Sequence, residues 1–189
     1  MDYILASASP RRRELLALAG IDFKIHVTDI DESVDPAWSA AEAALAIAQK
    51  KAAKAAQDYP NSCVIAADTI VEIDGILLGK PEDEADAARM LRLLSGREHN
   101  VVTGVCLRLG EAVRVFSKTT RVRFYPLGDE EIAAYVRSGE PVDKAGAYGI
   151  QGHGALLVEG IKGDYFNVVG LPLARLVREL HEFEAGCGA

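Results

Sequence analysis

The sequence contains only three cysteines, and Cys63, Cys106 and Cys187 lie far apart. They match neither a disulfide framework nor the paired spacing of a metal site, which favours a reducing compartment. No basic segment precedes the short apolar run at 3–6, and no stretch approaches the roughly 18 apolar residues of a membrane span. We therefore expect a soluble cytoplasmic protein with no membrane partner.

A basic excess is also lacking, since 21 Lys and Arg stand against 28 Asp and Glu and the net charge is −7. This balance argues against a nucleic-acid partner, while a small anion stays possible because local charge governs its binding. The 17 glycines and 7 prolines are near average, which excludes a collagen-like or low-complexity chain. The length suits one domain, or one domain of two lobes.

Several familiar motifs of nucleotide and hydrolase sites are missing. Residues 75–81 imitate a P-loop, but Gly75 and Gly79 are one residue too close, and Pro81 replaces the Ser or Thr that would bind magnesium. The dinucleotide pattern GxGxxG, the zinc motif HExxH and the nucleophile elbow GxSxG are absent, and the four histidines show no metal spacing. Ser/His/Asp catalysis without that elbow stays open.

Strand-like and helix-like segments alternate along the chain, which predicts an α/β fold. Asp74-Gly75 and Gly110-Glu111 join β-rich runs as hairpins, so we expect a mixed rather than a purely parallel sheet. With no linker or repeat, residues 1–189 are predicted to form a single domain with a frayed tail at 185–189. The predicted strands are 3–6, 23–27, 63–67, 70–73, 76–78, 100–109, 112–124 and 156–158, and the predicted helices are 10–19, 40–57, 83–94, 129–137 and 171–183.

A row of arginines follows the first strand. Ser9 is predicted to cap a helix whose first residue is Pro10, so residues 11–13 would place three cations at the positive end of the helix dipole. A bound polyanion would explain this, because free N–H groups, serine hydroxyls and guanidinium groups all suit phosphate oxygens. We favour phosphate binding for Arg11 and Arg12, and a surface pairing with a nearby acid for Arg13.

Acidic residues and lysines supply further candidates. Asp68 follows an apolar strand, at a position where α/β sheets gather ligands, and it could hold a divalent metal or accept a proton from water. A plain turn residue is an equally good interpretation. Glu32 lies in the acidic loop 29–35 and could supply a second metal ligand, although a solvated loop is the commoner outcome. Lys51 and Lys80 could neutralise phosphate charge, but composition alone would not single them out.

The segment 143–152 is rich in glycine, which lets the backbone approach a ligand closely. Within it, the amide of Gln151 can accept a hydrogen bond from N3–H of uracil or thymine and donate one to a ring carbonyl. The alternative is a tight connecting loop with Tyr148 packed on the core.

Together these segments resemble the Maf nucleotide pyrophosphatases. The resemblance implies hydrolysis of a nucleoside triphosphate to the monophosphate and pyrophosphate, dependence on Mg²⁺ or Mn²⁺, and a homodimer. It also implies a mixed, twisted sheet flanked by helices, in two lobes around a central cleft, as in inosine triphosphate pyrophosphatases. The matching motifs are LASASPRR near the start, DE at 31–32, KA at 51–52, ADTIV at 67–71, GKP at 79–81, LSG at 94–96, DKAGAYGIQG at 143–152 and VVGLPL at 168–173.

The resemblance also assigns roles to individual residues. Three positions distinguish its branches: the 7-methyl-GTP branch has Trp, Gln and Glu where this chain has Arg11, Thr69 and Gln151, which are similar to the dTTP/UTP branch. Cleavage of 7-methyl-GTP or ITP, or regulation of septum formation through a protein partner, are the alternatives. The implied catalytic residues are Asp68, Lys51 and Lys80, the substrate-binding residues are Ser9, Arg11, Arg12, Thr69 and Gln151, and the metal ligands are Glu32 and Asp68.

Overall fold

The structure is a computed structural model that describes residues 1–35 and 37–187. The described residues form seven strands and six α-helices, with short 3₁₀ segments between α4 and β7. The strands are β1 (Tyr3–Ala6), β2 (Phe23–Ile25), β3 (Cys63–Ile73), β4 (Ile76–Leu78), β5 (Glu98–Leu109), β6 (Ala112–Phe124) and β7 (Val158–Lys162). The helices are α1 (Pro10–Leu18), α2 (Ala40–Asp58), α3 (Glu84–Leu94), α4 (Asp129–Arg137), α5 (Tyr165–Val169) and α6 (Leu173–Gly186).

The strands belong to one sheet of order β2-β1-β3-β5-β6-β7, and β4 pairs with β3 off this path. β1 runs parallel to β2 and β3, whereas β4 is antiparallel to β3 and β7 is antiparallel to β6. The predicted mixed α/β fold is therefore confirmed. No helix in the described ranges has the length and apolar character needed to cross a bilayer.

The predicted hairpin turn at Asp74-Gly75 is present. Ile73 pairs with Ile76, so the loop has two residues, and both have positive φ, 52° at Asp74 and 78° at Gly75. Two positive φ values are typical of a type I′ turn, whose twist matches that of the flanking strands.

The structure differs from the sequence prediction around Asp68. The strands predicted at 63–67 and 70–73 form one continuous strand, β3, so Asp68 and Thr69 are strand residues rather than a break. The reason is a change of partner. The parallel pairing with β1 ends at Ala66, and the antiparallel pairing with β4 begins at Val71, so β3 continues beyond its first neighbour.

Differences also occur toward the C-terminus. A 3₁₀ segment covers Gly152–Leu157, so β7 begins at Val158, and the short helix α5 was not predicted. The last helix, predicted over 171–183, is α6 (Leu173–Gly186), so it ends three residues later, with Phe183 buried on its apolar stripe. Gly188 and Ala189, the end of the predicted frayed tail at 185–189, lie outside the described residues.

The chain divides into two compact units. The first contains Met1–Asp68, Thr103–Lys118 and residues 170–187, and the second contains Thr69–Val102 and Thr119–Val169. The core of the second unit is built of larger side chains from β3, α3, β6 and α4. These core residues include Val71, Met90, Leu91, Leu94, Val122, Phe124, Ile132 and Tyr135.

The first unit has a core of mostly small residues between α2 and the sheet. α2 buries alanines on one face, and β1 and β3 supply aliphatic side chains opposite them. Small side chains let a helix backbone approach a strand closely, which brings α2 near the residues of β3 discussed below. The members of this core are Ile4, Ala6, Ala48, Ala52, Ala55, Val64, Ala66 and Cys106.

Gly104 on β5 packs closely against the backbone of α2. A Cβ added there would lie 2.5 Å from the backbone carbon of Ala44 and 2.6 Å from the backbone nitrogen of Leu45. Backbone atoms of a capped helix cannot yield as a flexible side chain can, so we expect Gly104→Ala to lower the free energy of unfolding by about 3 kcal/mol. Denaturant unfolding would measure this.

The matched control is Gly160→Ala on β7, where no neighbouring atom lies within 4 Å of an added Cβ. We expect its free energy of unfolding to stay within about 1 kcal/mol of the wild type. Equal stabilities for the two variants would contradict the close packing inferred for α2.

Candidate functional site

The loop between β1 and α1 has the geometry that the sequence predicts. Ser9 caps the helix, with its hydroxyl accepting from the backbone N–H of Arg12 at 3.5 Å, and Pro10 is the first helical residue. The first turn contains no acidic residue. Arg11 and Arg12 therefore lie at the positive end of the helix, where an anion rather than a cation is stabilised.

Arg12 is buried, with 9% of its surface exposed. Its Nε donates to the carbonyl of Gly170 at 2.8 Å, and its Nη1 donates to the hydroxyl of Ser7 at 3.3 Å. Burial lowers the pKa of Arg12, and the charge of Asp68 acts against this shift. Hydrogen bonds and a neighbouring carboxylate thus keep a buried cation in a defined position.

Ser7 and Gly170 position Arg12, a role that the sequence did not predict for either residue. The Ser7 hydroxyl also accepts from the backbone N–H of Ser9 at 3.2 Å, so it joins the capping residue to Arg12. Arg13 donates through Nη2 to the carbonyl of Ala8 at 3.0 Å, a backbone partner where the sequence favoured an acidic side chain. The SxSP spacing was a usable signal for Ser7, whereas nothing local indicates Gly170.

Asp68 and Lys51 form the centre of the site in the first unit. Because side chains alternate along a strand, Asp68 shares the face of β3 that carries Val64 and Ala66, which pack in the same core as α2. Lys51 precedes the buried Ala52 of α2, at the edge of that interface. Lys51 Nζ lies 2.7 Å from Asp68 Oδ1, and the two side chains are only 12% and 14% exposed.

Glu32 joins the same cation from the acidic loop. Its Oε1 lies 2.8 Å from Lys51 Nζ. Lys50 acts on the same loop differently, since its Nζ donates to the backbone carbonyls of Asp31 and Ser33, both at 3.2 Å. The two adjacent lysines therefore make different contacts. Lys51 binds carboxylates, and Lys50 holds the backbone on either side of Glu32.

Glu32 and Asp68 are also the residues that could hold a metal ion. Across residues 1–35 and 37–187, no cluster of three or more His, Cys, Asp or Glu is arranged for metal binding. A pair of carboxylates nevertheless fits Mg²⁺, which proteins commonly bind through one or two carboxylates while substrate phosphates supply further oxygens. Both carboxylates already share one cation, Lys51 Nζ, so their oxygens converge on a point of positive charge.

The remaining predicted residues, Thr69, Lys80 and Gln151, belong to the second unit. There the GKP segment and the glycine-rich loop are joined, because the N–H of Gly146 donates to the carbonyl of Gly79 at 2.9 Å. Lys80 and Gln151 are both exposed. The structure thus brings together two motifs that are more than sixty residues apart.

Tyr148 anchors the glycine-rich loop in the core of the second unit. Its hydroxyl lies 2.7 Å from Nε2 of His99, and its ring makes edge contacts with His99 and Phe124. The core packing of Tyr148 considered from the sequence is therefore present. His99 had no predicted role, and its burial lowers its pKa from 6.5 to about 4.

His99 makes the stability of the protein dependent on pH. The unfolded chain takes up this proton near pH 6.5, whereas the folded chain takes it up only near pH 4. The free energy of unfolding should therefore fall by about 3 kcal/mol as pH drops through this window. Denaturant unfolding at intervals from pH 7 to 4 would measure the slope.

His99→Gln should remove this component, so that its stability varies less with pH than that of the wild type. His181→Gln, which changes an exposed histidine on α6, serves as the matched control and should retain the wild-type slope. Parallel curves for wild type and His99→Gln would show that His99 is not the titrating group.

Comparisons with known proteins identify the fold and the family of this chain. A solved structure of a HAM1 protein from Coxiella burnetii has the same fold, with a TM-score of 0.55 and 18% identity over 96% of this chain and 99% of that chain. The Maf-like protein family model matches residues 2–183. The chain therefore belongs to the Maf family, as the motifs predicted.

Relatives within this family are similar over almost their whole length. A dTTP/UTP pyrophosphatase of Bacillus cytotoxicus is 50% identical over 184 residues, which cover 97% of this chain and 96% of the relative. A dTTP/UTP pyrophosphatase of Geobacillus sp. (strain WCH70) is 52% identical over 177 residues, covering 94% and 95%. The aligned residues thus cover almost all of this chain and almost all of each relative.

Proposed function

We propose that this protein hydrolyses dTTP and UTP to the nucleoside monophosphate and pyrophosphate. The observation that carries the proposal is the convergence of Glu32 and Asp68 on Lys51, beside the buried Arg12, in a chain about half identical to proteins named dTTP/UTP pyrophosphatases. Carboxylates beside cations suit a reaction in which water attacks a phosphate and an anion leaves.

The start of α1 supports phosphate binding. The Ser9 hydroxyl and the guanidinium groups of Arg11 and Arg12, at the positive end of the helix dipole, would hold the triphosphate. Because Ser7 and Gly170 fix Arg12, that side chain presents its charge with little loss of conformational entropy on binding.

Asp68 is the proposed proton acceptor. It would take a proton from the attacking water as the water oxygen bonds to the α-phosphorus, and the bond from that phosphorus to the bridging oxygen breaks to release pyrophosphate. Lys51 holds the Asp68 carboxylate in place and offsets the developing negative charge.

Glu32 and Asp68 would together hold a divalent metal ion, Mg²⁺ or Mn²⁺, which when bound supplies charge neutralisation and polarises the phosphate. Asp68 serves best either as a metal ligand or as a strong base. In both cases its carboxylate must be held in place, and the contact with Lys51 does this.

The proposed selectivity depends on Gln151. Gln151 would accept from N3–H of the pyrimidine and donate to the adjacent ring carbonyl, with Thr69 as a further substrate-binding residue and Lys80 neutralising phosphate charge. The family resemblance further supports a homodimer acting in the cytoplasm on free nucleotides, with neither nucleic acid nor membrane as partner.

The test is a pyrophosphate-release assay with dTTP, UTP, 7-methyl-GTP and ITP, each with and without EDTA. We expect the two pyrimidine nucleotides to be turned over with the highest kcat/KM, and EDTA to abolish the reaction until Mg²⁺ or Mn²⁺ is restored. Preference for 7-methyl-GTP or ITP would overturn the proposed substrate class, and full activity in EDTA would overturn the metal requirement.

A further inference from the structure

Glu140 holds the backbone immediately after Gln151. Its Oε1 accepts from the N–H of His153 at 3.0 Å, and its Oε2 accepts from the N–H of Gly154 at 3.3 Å. The ring Nδ1 of His153 also lies 2.8 Å from Oε1. One carboxylate thus binds two consecutive peptide groups, and the hydrogen bonds gain strength from its charge.

Gly152 leaves room for the Glu140 carboxylate because it has no side chain. It has a φ of +63°, and a Cβ added to it would lie 2.8 Å from Glu140 Oε1 and 3.2 Å from Oε2. A side chain at this position would therefore be strained and would also push Glu140 out of its place. The absence of a side chain at Gly152 therefore leaves the space that the Glu140 carboxylate occupies.

The backbone before Gln151 is held by Tyr135. The N–H of Gly149 donates to the hydroxyl of Tyr135 at 3.2 Å, and burial, with a contribution from the nearby Glu140 carboxylate, raises the pKa of Tyr135 to about 12. Gly154 packs closely against Gly149 and Tyr135, since an added Cβ would lie 2.0 Å from the carbonyl oxygen of Gly149 and 2.7 Å from the Tyr135 hydroxyl. Gln151 is therefore an exposed residue of a short loop whose backbone is hydrogen-bonded before it, at Gly149, and after it, at His153 and Gly154.

The backbone of Glu140 is itself hydrogen-bonded, and its side chain is ionised. Its N–H donates to the Ser138 hydroxyl at 3.3 Å, and its carbonyl accepts from Nζ of Lys144. Burial acts to raise the pKa of Glu140, but the hydrogen bonds from His153 and Gly154 outweigh this and lower the pKa. The carboxylate is thus ionised at neutral pH, as a double acceptor should be.

We propose that Glu140 is a positioning residue that sets pyrimidine selectivity by holding the backbone at residues 153–154, just after Gln151. The inference rests on the proposed function, in which the Gln151 amide reads the uracil or thymine edge. Cytosine presents the opposite pattern, an acceptor at N3 and a donor at the exocyclic amine, and an amide turned by 180° would accept it. Discrimination therefore depends on an amide that keeps one orientation, and a loop backbone held within about 0.5 Å restricts the orientations from which the amide can reach the base.

The experiment compares kcat and KM for UTP and CTP in the wild type and in Glu140→Gln, which has the same size but replaces one accepting oxygen by a donor. We expect the ratio of kcat/KM for UTP to that for CTP to fall by about tenfold or more, with KM for UTP rising more than kcat falls. Glu159→Gln, which changes an exposed carboxylate paired with Arg123 in the same unit, is the matched control and should keep the wild-type ratio.

A double-mutant cycle separates positioning from general stability. In a Gln151→Ala background, Glu140→Gln should no longer change the UTP-to-CTP ratio, because its proposed effect passes through the missing amide. Gly152→Ala should displace the Glu140 carboxylate and so also lower the UTP-to-CTP ratio. This variant provides the test if Glu140→Gln folds poorly. Thermal unfolding of each variant would establish that it is folded.

Two results would show that Glu140 does not act through Gln151. One is a UTP-to-CTP ratio of kcat/KM within about twofold of the wild type in folded Glu140→Gln. The other is an equal fall in that ratio when Glu140→Gln is made in the Gln151→Ala background. Failure of the proposed function is a different observation, namely a wild-type protein that releases no pyrophosphate from UTP. The wild-type UTP rate therefore tests the function, and the change in ratio tests the role of Glu140.

Discussion

Asp68→Asn should reduce pyrophosphate release from dTTP and UTP by about three orders of magnitude while the fold persists. Asparagine keeps the size of the side chain but loses the charge that binds Lys51 at 2.7 Å and offsets the burial of Arg12. It also cannot accept a proton from water or serve as an anionic metal ligand. Steady-state release assays would measure the loss, and circular dichroism would report on the fold.

The matched control for this prediction is Asp58→Asn at the end of α2. Asp58 is also a carboxylate paired with a basic side chain, His26 at 3.1 Å, but its own side chain is 60% exposed and lies outside the proposed site. This variant should retain wild-type turnover. If Asp68→Asn kept more than about a tenth of the wild-type rate, Asp68 would be neither the base nor an essential ligand.

Gln151→Glu should lower kcat/KM for UTP and dTTP by about a hundredfold. A carboxylate can only accept hydrogen bonds, so the ring carbonyl that the amide donor should bind would instead face a negative charge. The same change suits the donor edge of guanine, so the preference should shift toward 7-methyl-GTP. The four-nucleotide release assay would measure both effects.

Gln57→Glu gives the matched control for this substitution, since it makes the same chemical change at an exposed position near the end of α2. It should leave every nucleotide preference at the wild-type value. A kcat/KM for UTP within about threefold of the wild type in Gln151→Glu would remove Gln151 from the base-reading role and leave selectivity to other residues.

Some features of the site follow from local sequence alone. Ser9-Pro10 specifies a helix start because a hydroxyl cap and a fixed φ act over only a few residues, and the structure contains that start. Asp74-Gly75 specifies a tight turn for a similarly local reason. That Asp68 lies within a strand was less predictable, because where a strand ends depends on the strands that pair with it. β3 pairs first with β1 and then with β4, so it continues past Asp68.

The functions of two adjacent lysines illustrate the limit of local patterns. Lys50 and Lys51 occupy consecutive positions on α2 and have the same chemistry, yet one binds backbone carbonyls and the other binds two carboxylates. The difference arises because the alanine face of α2 fixes its rotation against β1 and β3, so only Lys51 reaches Asp68. A helical pattern gives the buried face, but it does not name the residue opposite.

The sequence by itself determined the family, the α/β class, the basic start of α1 and the identity of the polar residues, because each depends on residue types at short spacing. The tertiary structure alone decided which of these residues meet. Arg12 is held by Gly170, 158 residues away, and Glu140 binds the backbone after Gln151. Such contacts depend on the packing of distant elements, whose positions result from the burial of whole faces rather than from any one motif.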